Sequence, residues 1–432
     1  MSDVGGFIGP TQLTNKTYEH SDSADLENSS HITYTLLVGG YAGLISVIQF
    51  DERTRKLSNV SSLSNEIVGE SPSWITPTRD GKYFYSSNEV STKDGRNATG
   101  SIVSYKLAGH NTSHSTKTFG SVGIVITPIT QAYTSPDPVF IDLSPDQYNL
   151  LVASYTDGTA SRYELNDDHS FKSLDTPSQL FSYNATGPNK SRQSHSYIHQ
   201  VRYDPTGRIA AFVDLGGDRV YVHSVNSQTG KLSPIHTIEL QPGTGPRHLS
   251  FVVVDRVRTD IYLICELSNE MVYIELTYLT DHSIHTEIRQ TLSTLPIGIS
   301  TNNTYGAGEV IVSTDGRYVY GTNRQTDMSQ PATDNSVVIF TRDPTKGQLT
   351  PQPRFVPLVV TGATPRHICL SPDTEERWMV VVGQQANKLA VYERESGGGG
   401  LELVDSFDIA LPAVARFLPL SHHGRHHDHR RS

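Results

Sequence analysis

The chain has 432 residues, with 35 Lys and Arg against 45 Asp and Glu and a formal charge of −10. That balance excludes a phosphate-backbone partner, since no basic face is implied and only the last dozen residues are strongly cationic. Gly 34, Pro 23 and Tyr 21 beside 4 Met, with 19% charged residues, favour many short strands and tight turns, so an all-β class is expected.

Residues 1–32 read as a polar tail without the apolar core of a signal peptide, and no later run is long enough to span a membrane. A cytoplasmic protein with no membrane partner is expected. Sequons at Asn15, Asn28, Asn59, Asn97, Asn111, Asn184, Asn189 and Asn302 keep a secreted glycoprotein as the alternative. Cys265 and Cys369 cannot form a disulfide framework and show no metal-ligand spacing, so both are expected as buried thiols.

An internal repeat organises residues 33–419. "PSWITPTRDGKYFYSSNE", from Pro72, gives an apolar strand, a polar D-G turn and an aromatic strand, followed by a loop and a third strand. The order returns in "HQVRYDPTGRIAAFVDLGGDRVYVHSV" from His199, in "GEVIVSTDGRYVYGTNR" from Gly308 and in "PRHICLSPDTEERWMVVVG" from Pro365, with weaker copies from Pro138 and Pro246. Turns such as "TGKLSP" and "KGQLTP" lead to a fourth, outer strand. Residues 33–60 supply strands two to four of a further unit, and "PAVARFLP" at 412–419 supplies its missing first strand. The fold expected is a seven-bladed β-propeller of four-stranded blades, closed by pairing the terminal strands in one sheet. Polar stretches near 107–130, 166–196 and 277–304 read as insertions, and 420–432, with five histidines, as a tail without a catalytic role.

In such a blade the start of strand one and the end of strand two meet at one mouth of the central channel. Aligning the units puts Ala413, Ser73, Val139, His199, Arg247, Gly308 and Arg366 at the start of strand one. Val414, Trp74, Phe140, Gln200, His248, Glu309 and His367 follow, and Tyr41, Glu89, Tyr155, Leu215, Glu266, Arg324 and Gln384 end strand two. Blades four to seven therefore gather three guanidiniums, a carboxylate and an imidazole. Like charges held together call for a ligand, and Arg offers a planar donor fork to a carboxylate or phosphate.

At these motifs the sequence resembles the lactonase propeller family that contains bacterial-type 6-phosphogluconolactonase and fungal carboxy-cis,cis-muconate cyclase. "IHQVRYDPTGR", "DLGGDRVYVH", "GTGPRHLSF", "CELSNE" and "TPRHICLSPD" carry the resemblance, which covers about residues 33–419. It implies His199, Arg247, Glu266 and Arg324 as active-site residues, with Arg366 and Glu89 beside them. Tyr197 stands where phosphogluconolactonase-like members usually carry a second His, and Cys265 where they carry Asn.

The reading is a metal-independent lactonase without cofactor, acting on a small anionic lactone, foremost 6-phosphogluconolactone. His199 takes a proton from water, Glu266 orients it, and Arg247 and Arg324 hold the developing oxyanion. Arg366, Glu89, His248, His367 and Gln384 are placed as substrate-binding or supporting groups. A muconate cyclase built from the same parts, and a non-catalytic propeller that binds an anion or a protein, are the alternatives.

Overall fold

The computed structural model describes residues 31–64, 66–91, 99–109, 124–280, 283–299, 304–326, 335–395 and 398–420. Among them are 28 strands and no helix, sorted into seven four-stranded antiparallel sheets. The expected propeller is therefore present, with inner strands Ile75–Pro77, Pro138–Leu143, Ile198–Tyr203, Pro246–Val253, Tyr305–Val312, Pro365–Leu370 and Pro412–Phe417. The last of these pairs with Thr33–Gly40, placing Leu36 opposite Phe417 and Val38 opposite Ala415, so the two ends of the chain close the ring in one blade.

The turn chemistry explains the repeat. Gly81, Gly207 and Gly316 end the "TRDG", "DPTG" and "STDG" corners with φ of 68–70°, a left-handed backbone that glycine adopts without a Cβ clash. Each corner is tied by a short side chain, as where the Ser313 hydroxyl donates to Asp315 at 2.6 Å. The second strands then run between neighbouring blades with both faces covered. Asn149–Ser154, Ile209–Asp214 and Trp378–Gly383 are buried at every position. Outer strands behave differently, because one side meets water. Val125–Thr134 overlaps, and Gln179–Ser182 and Ile284–Ser293 fall within, the stretches read as polar insertions, and their half-exposed, polar composition is what marked them so.

One irregularity positions the site. In six blades the ladder between strands one and two slips beside the channel, leaving Val139, His199, Arg247 and Arg366 unpaired, as well as Ala413 and the pair Gly308 and Glu309. A β-bulge adds a residue to one strand and re-aims side chains that would otherwise alternate between faces. Consecutive residues such as Arg247 and His248 can then both reach the axis. Cys265 and Cys369 are buried free thiols. The tails 1–30 and 421–432, with the tail histidines, and the sequons at Asn15, Asn28, Asn97, Asn111 and Asn302 lie outside the described residues.

The closing seam is packed by Phe50 against Trp378, ring centroids 4.9 Å apart at 70°, joining blades one and seven. Trp378 is fully buried. Trp378→Ala is expected to lower the unfolding free energy by about 3–5 kcal/mol, read as a lower urea midpoint at unchanged slope. A loss below about 1 kcal/mol would mean that the seam tolerates the cavity.

Candidate functional site

The site begins with one carboxylate. Glu266, at the end of the second strand of blade five, is buried and meets three guanidiniums: Arg324 Nη2 at 2.7 Å and Arg247 Nε at 3.0 Å on Oε2, and Arg192 Nη2 at 2.6 Å on Oε1. Burial alone would raise its pKa, but Arg324, Arg192 and Arg247 together hold it well below the ordinary carboxylate range. It is an anion throughout the working pH range, and so a partner for cations rather than a proton acceptor.

Two of the three cations are fixed. Arg247, 2% exposed, also donates from Nη1 to the Gly308 carbonyl at 2.8 Å. Arg324 donates to the Gly306 carbonyl at 3.2 Å and the Ala307 carbonyl at 3.0 Å. The sequence "YGAGE" permits this closeness. A Cβ on Gly306 would stand 3.2 Å from Glu266 Cγ, and one on Gly308 would stand 2.5 Å from Thr322 Oγ1 and 3.1 Å from Arg324 Nε. Burial and the neighbouring Arg324 push the Arg247 pKa down, the expected response of one cation crowded by another.

His199 lies in the same layer, edge-on to the rings of His248 at 5.0 Å and Tyr155 at 5.5 Å. Its Nδ1 is buried without a hydrogen-bond partner. Burial first, then the positive field of Arg247, holds its pKa well below the usual imidazole value. The imidazole is consequently unprotonated at neutral pH and can accept a proton. Arg366 and Glu89 form a looser pair at 3.7 Å, with the Tyr41 hydroxyl donating to Glu89 at 2.7 Å and its ring 5.2 Å from the Arg366 guanidinium carbon. Gln384 reaches Arg366 Nη1 at 3.5 Å.

The second ring position sits against this layer and narrows the channel. His248 Nδ1 is 2.9 Å from Glu309 and His367 Nε2 is 3.8 Å from it. Trp74 lies against Phe140, ring centroids 4.0 Å apart at 31°, with both imidazoles packed against the Trp74 ring at 5.6 and 5.2 Å. Burial holds His248 and His367 neutral as well. Among the described residues no group of three or more His, Cys, Asp or Glu side chains is arranged to hold a metal ion, and no helix is long and apolar enough to cross a membrane.

A family profile described as "Lactonase, 7-bladed beta-propeller" matches residues 35–417. The chain belongs to this lactonase family. It is similar to the 6-phosphogluconolactonase of Bacillus subtilis, 26% identical over 391 residues, which span 89% of this chain and 97% of that one. It is also similar to a protein of Arthroderma benhamiae named probable 6-phosphogluconolactonase, 29% identical over 384 residues and 88% of each chain. The periplasmic gluconolactonase PpgL of Pseudomonas aeruginosa matches with a TM-score of 0.72 at 25% identity, over 90% of this chain and 100% of that one.

In this lactonase-family chain, the structure brings His199, Arg247, Glu266 and Arg324 together. Arg366, Glu89 and Gln384 form a neighbouring cluster, and His248 and His367 are engaged with Glu309. Arg192 is the residue that sequence reasoning missed. It lies seven positions before His199 in the segment between blades three and four, where no repeat register exists to place it.

The buried imidazoles couple stability to pH. Each is held neutral when folded and titrates near 6.5 when unfolded, so the unfolded chain takes up the extra protons. Stability is then complete above about pH 6.5 and falls as pH drops below it, by up to about 1.4 kcal/mol per pH unit for each imidazole. Glu266, held low, keeps its contribution until pH falls below about 4.3. Urea unfolding at about pH 7 and about pH 5.5 is expected to show this acid loss, with His367→Gln removing one imidazole's share of the slope. An unchanged slope would show that His367 is not held neutral.

Proposed function

We propose that the protein hydrolyses a sugar lactone, with 6-phosphogluconolactone the foremost substrate. The observation that carries this reading is the neutral, desolvated imidazole of His199 beside the Glu266-bound guanidiniums of Arg247 and Arg324. The names of similar proteins in Bacillus subtilis and Pseudomonas aeruginosa agree in substrate class.

His199 takes a proton from water, and the hydroxide attacks the lactone carbonyl carbon. The pair of electrons displaced onto the carbonyl oxygen faces the guanidiniums, fixed in place before the reaction so that they need no reorganisation as charge develops. Glu266 balances the guanidiniums and offsets the imidazolium that forms. Collapse of the intermediate breaks the ring C–O bond, the imidazolium returns its proton to the leaving alkoxide, and the open hydroxy acid is released. The substrate is a small anion met in water, and neither nucleic acid nor membrane enters the scheme.

Wild-type protein is expected to open 6-phosphogluconolactone faster than its spontaneous rate, and His199→Ala to lower kcat/KM by about 10²- to 10⁴-fold. The assay is run at about pH 6, which limits alkaline opening of the lactone; His199 stays unprotonated there, because burial and Arg247 hold its pKa well below the usual imidazole value. No acceleration across a panel of phosphorylated and neutral lactones would overturn the proposal, and turnover of a cis,cis-muconate instead would reassign the same site to cyclisation.

A further inference from the structure

Arg192 differs from the other two guanidiniums on Glu266 in what it would lose by leaving. Arg247 and Arg324 are buried and are also bonded to the backbone carbonyls of Gly306, Ala307 and Gly308. Arg192 keeps 40% of its side chain exposed and meets side chains, Glu266 Oε1 at 2.6 Å and the Tyr155 hydroxyl. If Arg192 turned away, Glu266 would still hold two guanidiniums. The carboxylate would stay ion-paired through Oε2, and water from the cavity that Glu266 lines could take Oε1, whereas removing a sole partner from a buried charge is severe.

The chain around Arg192 is built to hold it in place. Gln193, fully buried, donates to the Leu215 carbonyl at 3.0 Å and to Asp218 at 2.8 Å. The backbone nitrogens of Arg192 and Gln193 both donate to the Asn189 carbonyl, at 3.0 and 2.6 Å. A Cβ on Gly187 would stand 2.4 Å from the Gln193 amide carbon, so the segment is packed closely onto its own anchor. Beside it opens a cavity of about 260 Å³ lined by Asn189, Ser191, Arg192, Glu266, Tyr305 and Thr326. Charge points the same way. Arg192, Arg247, Arg324 and Arg366 against Glu89 and Glu266 give four positive and two negative groups at this mouth, an excess of two that an anionic ligand would offset.

We propose that Arg192 and the cavity it lines form the subsite for the anionic substituent of the substrate, a phosphate ester carried on the lactone away from its carbonyl. This rests on the lactonase reading above. Arg192 exchanges Glu266 Oε1 for the phosphate oxygens, while Arg247 and Arg324 stay with the carboxylate and face the reacting carbonyl. Arg192 is thus a specificity-determining residue and takes no part in the bond changes.

The test compares wild type, Arg192→Ala and Arg192→Lys of the full chain on 6-phosphogluconolactone and on unphosphorylated gluconolactone. Arg192→Ala is expected to raise KM for the phosphorylated lactone by about 10- to 100-fold, the loss of a charge-assisted bond. The unphosphorylated lactone, which brings no charge for Arg192 to bind, should keep its KM and kcat because Arg247 and Arg324 stay on Glu266, and Lys should restore part of the loss. An equal fall in kcat on both lactones would overturn the proposal and make Arg192 a prop for Glu266. Unchanged kinetics on both would overturn it too. Thermal shift with 6-phosphogluconate against gluconate separates the two claims: Arg192-dependent stabilisation by the phosphorylated acid, in a protein that turns over no lactone, supports the subsite while removing the lactonase reading.

Discussion

The mouth of this propeller depends on one buried anion. Glu266 keeps its negative charge because three guanidiniums from three places in the chain reach it, Arg192 before blade four, Arg247 at the start of blade five and Arg324 in blade six. Each cation would repel the others without it, and it would take up a proton without them. An ion cluster of this kind adds little net stability, but loss of one fixed partner leaves an uncompensated charge in a poorly solvated place. It therefore acts as a positional constraint, tying blade five to blade six through Arg324.

The asymmetry of the ring follows from that constraint. Blades two and three place Trp74 and Phe140 on the axis, where their rings pack against His248, and Trp74 also meets His367. This apolar side removes water from the imidazoles and helps keep them neutral. Low polarity also strengthens each charge interaction across the opening. The apolar half and the charged half are parts of a single device: one lowers the local dielectric, and the other uses the field that results.

Most of this was legible in the sequence because both the fold and the ring repeat. The D-G corners set the register, the seven units could be aligned on them, and alignment alone brought His199, Arg247, Glu266 and Arg324 to one mouth. Consecutive "RH" pairs did not declare how both residues reach the axis; the bulges at Arg247 and Arg366 supply the reason, and a bulge has no strong signal in single-sequence patterning. Arg192 was illegible for a related reason. It belongs to a stretch whose position is fixed by Gln193 and Gly187 through tertiary packing, and no periodic pattern records such contacts. A fourth, outer strand was expected in every blade, but in blades two, three and five its polar, half-exposed face made the stretch read as an insertion.

The two carboxylates at this mouth divide its arginines by how freely they can move. Glu266 is saturated, so Arg247 and Arg324, further tied to carbonyls, remain where they are when a ligand arrives. Glu89 meets Arg366 only at 3.7 Å and takes a stronger bond from Tyr41 at 2.7 Å. Arg366, with 19% of its side chain exposed, can likewise turn to a ligand without stranding its carboxylate. Fixed guanidiniums suit charge that develops during reaction, because they are already oriented when it appears. Exchangeable ones suit charge that arrives with the substrate, since the bond they give up is repaid by the bond they gain. A mouth of this construction can alter its substrate through the exchangeable pair while Arg247 and Arg324 stay on Glu266.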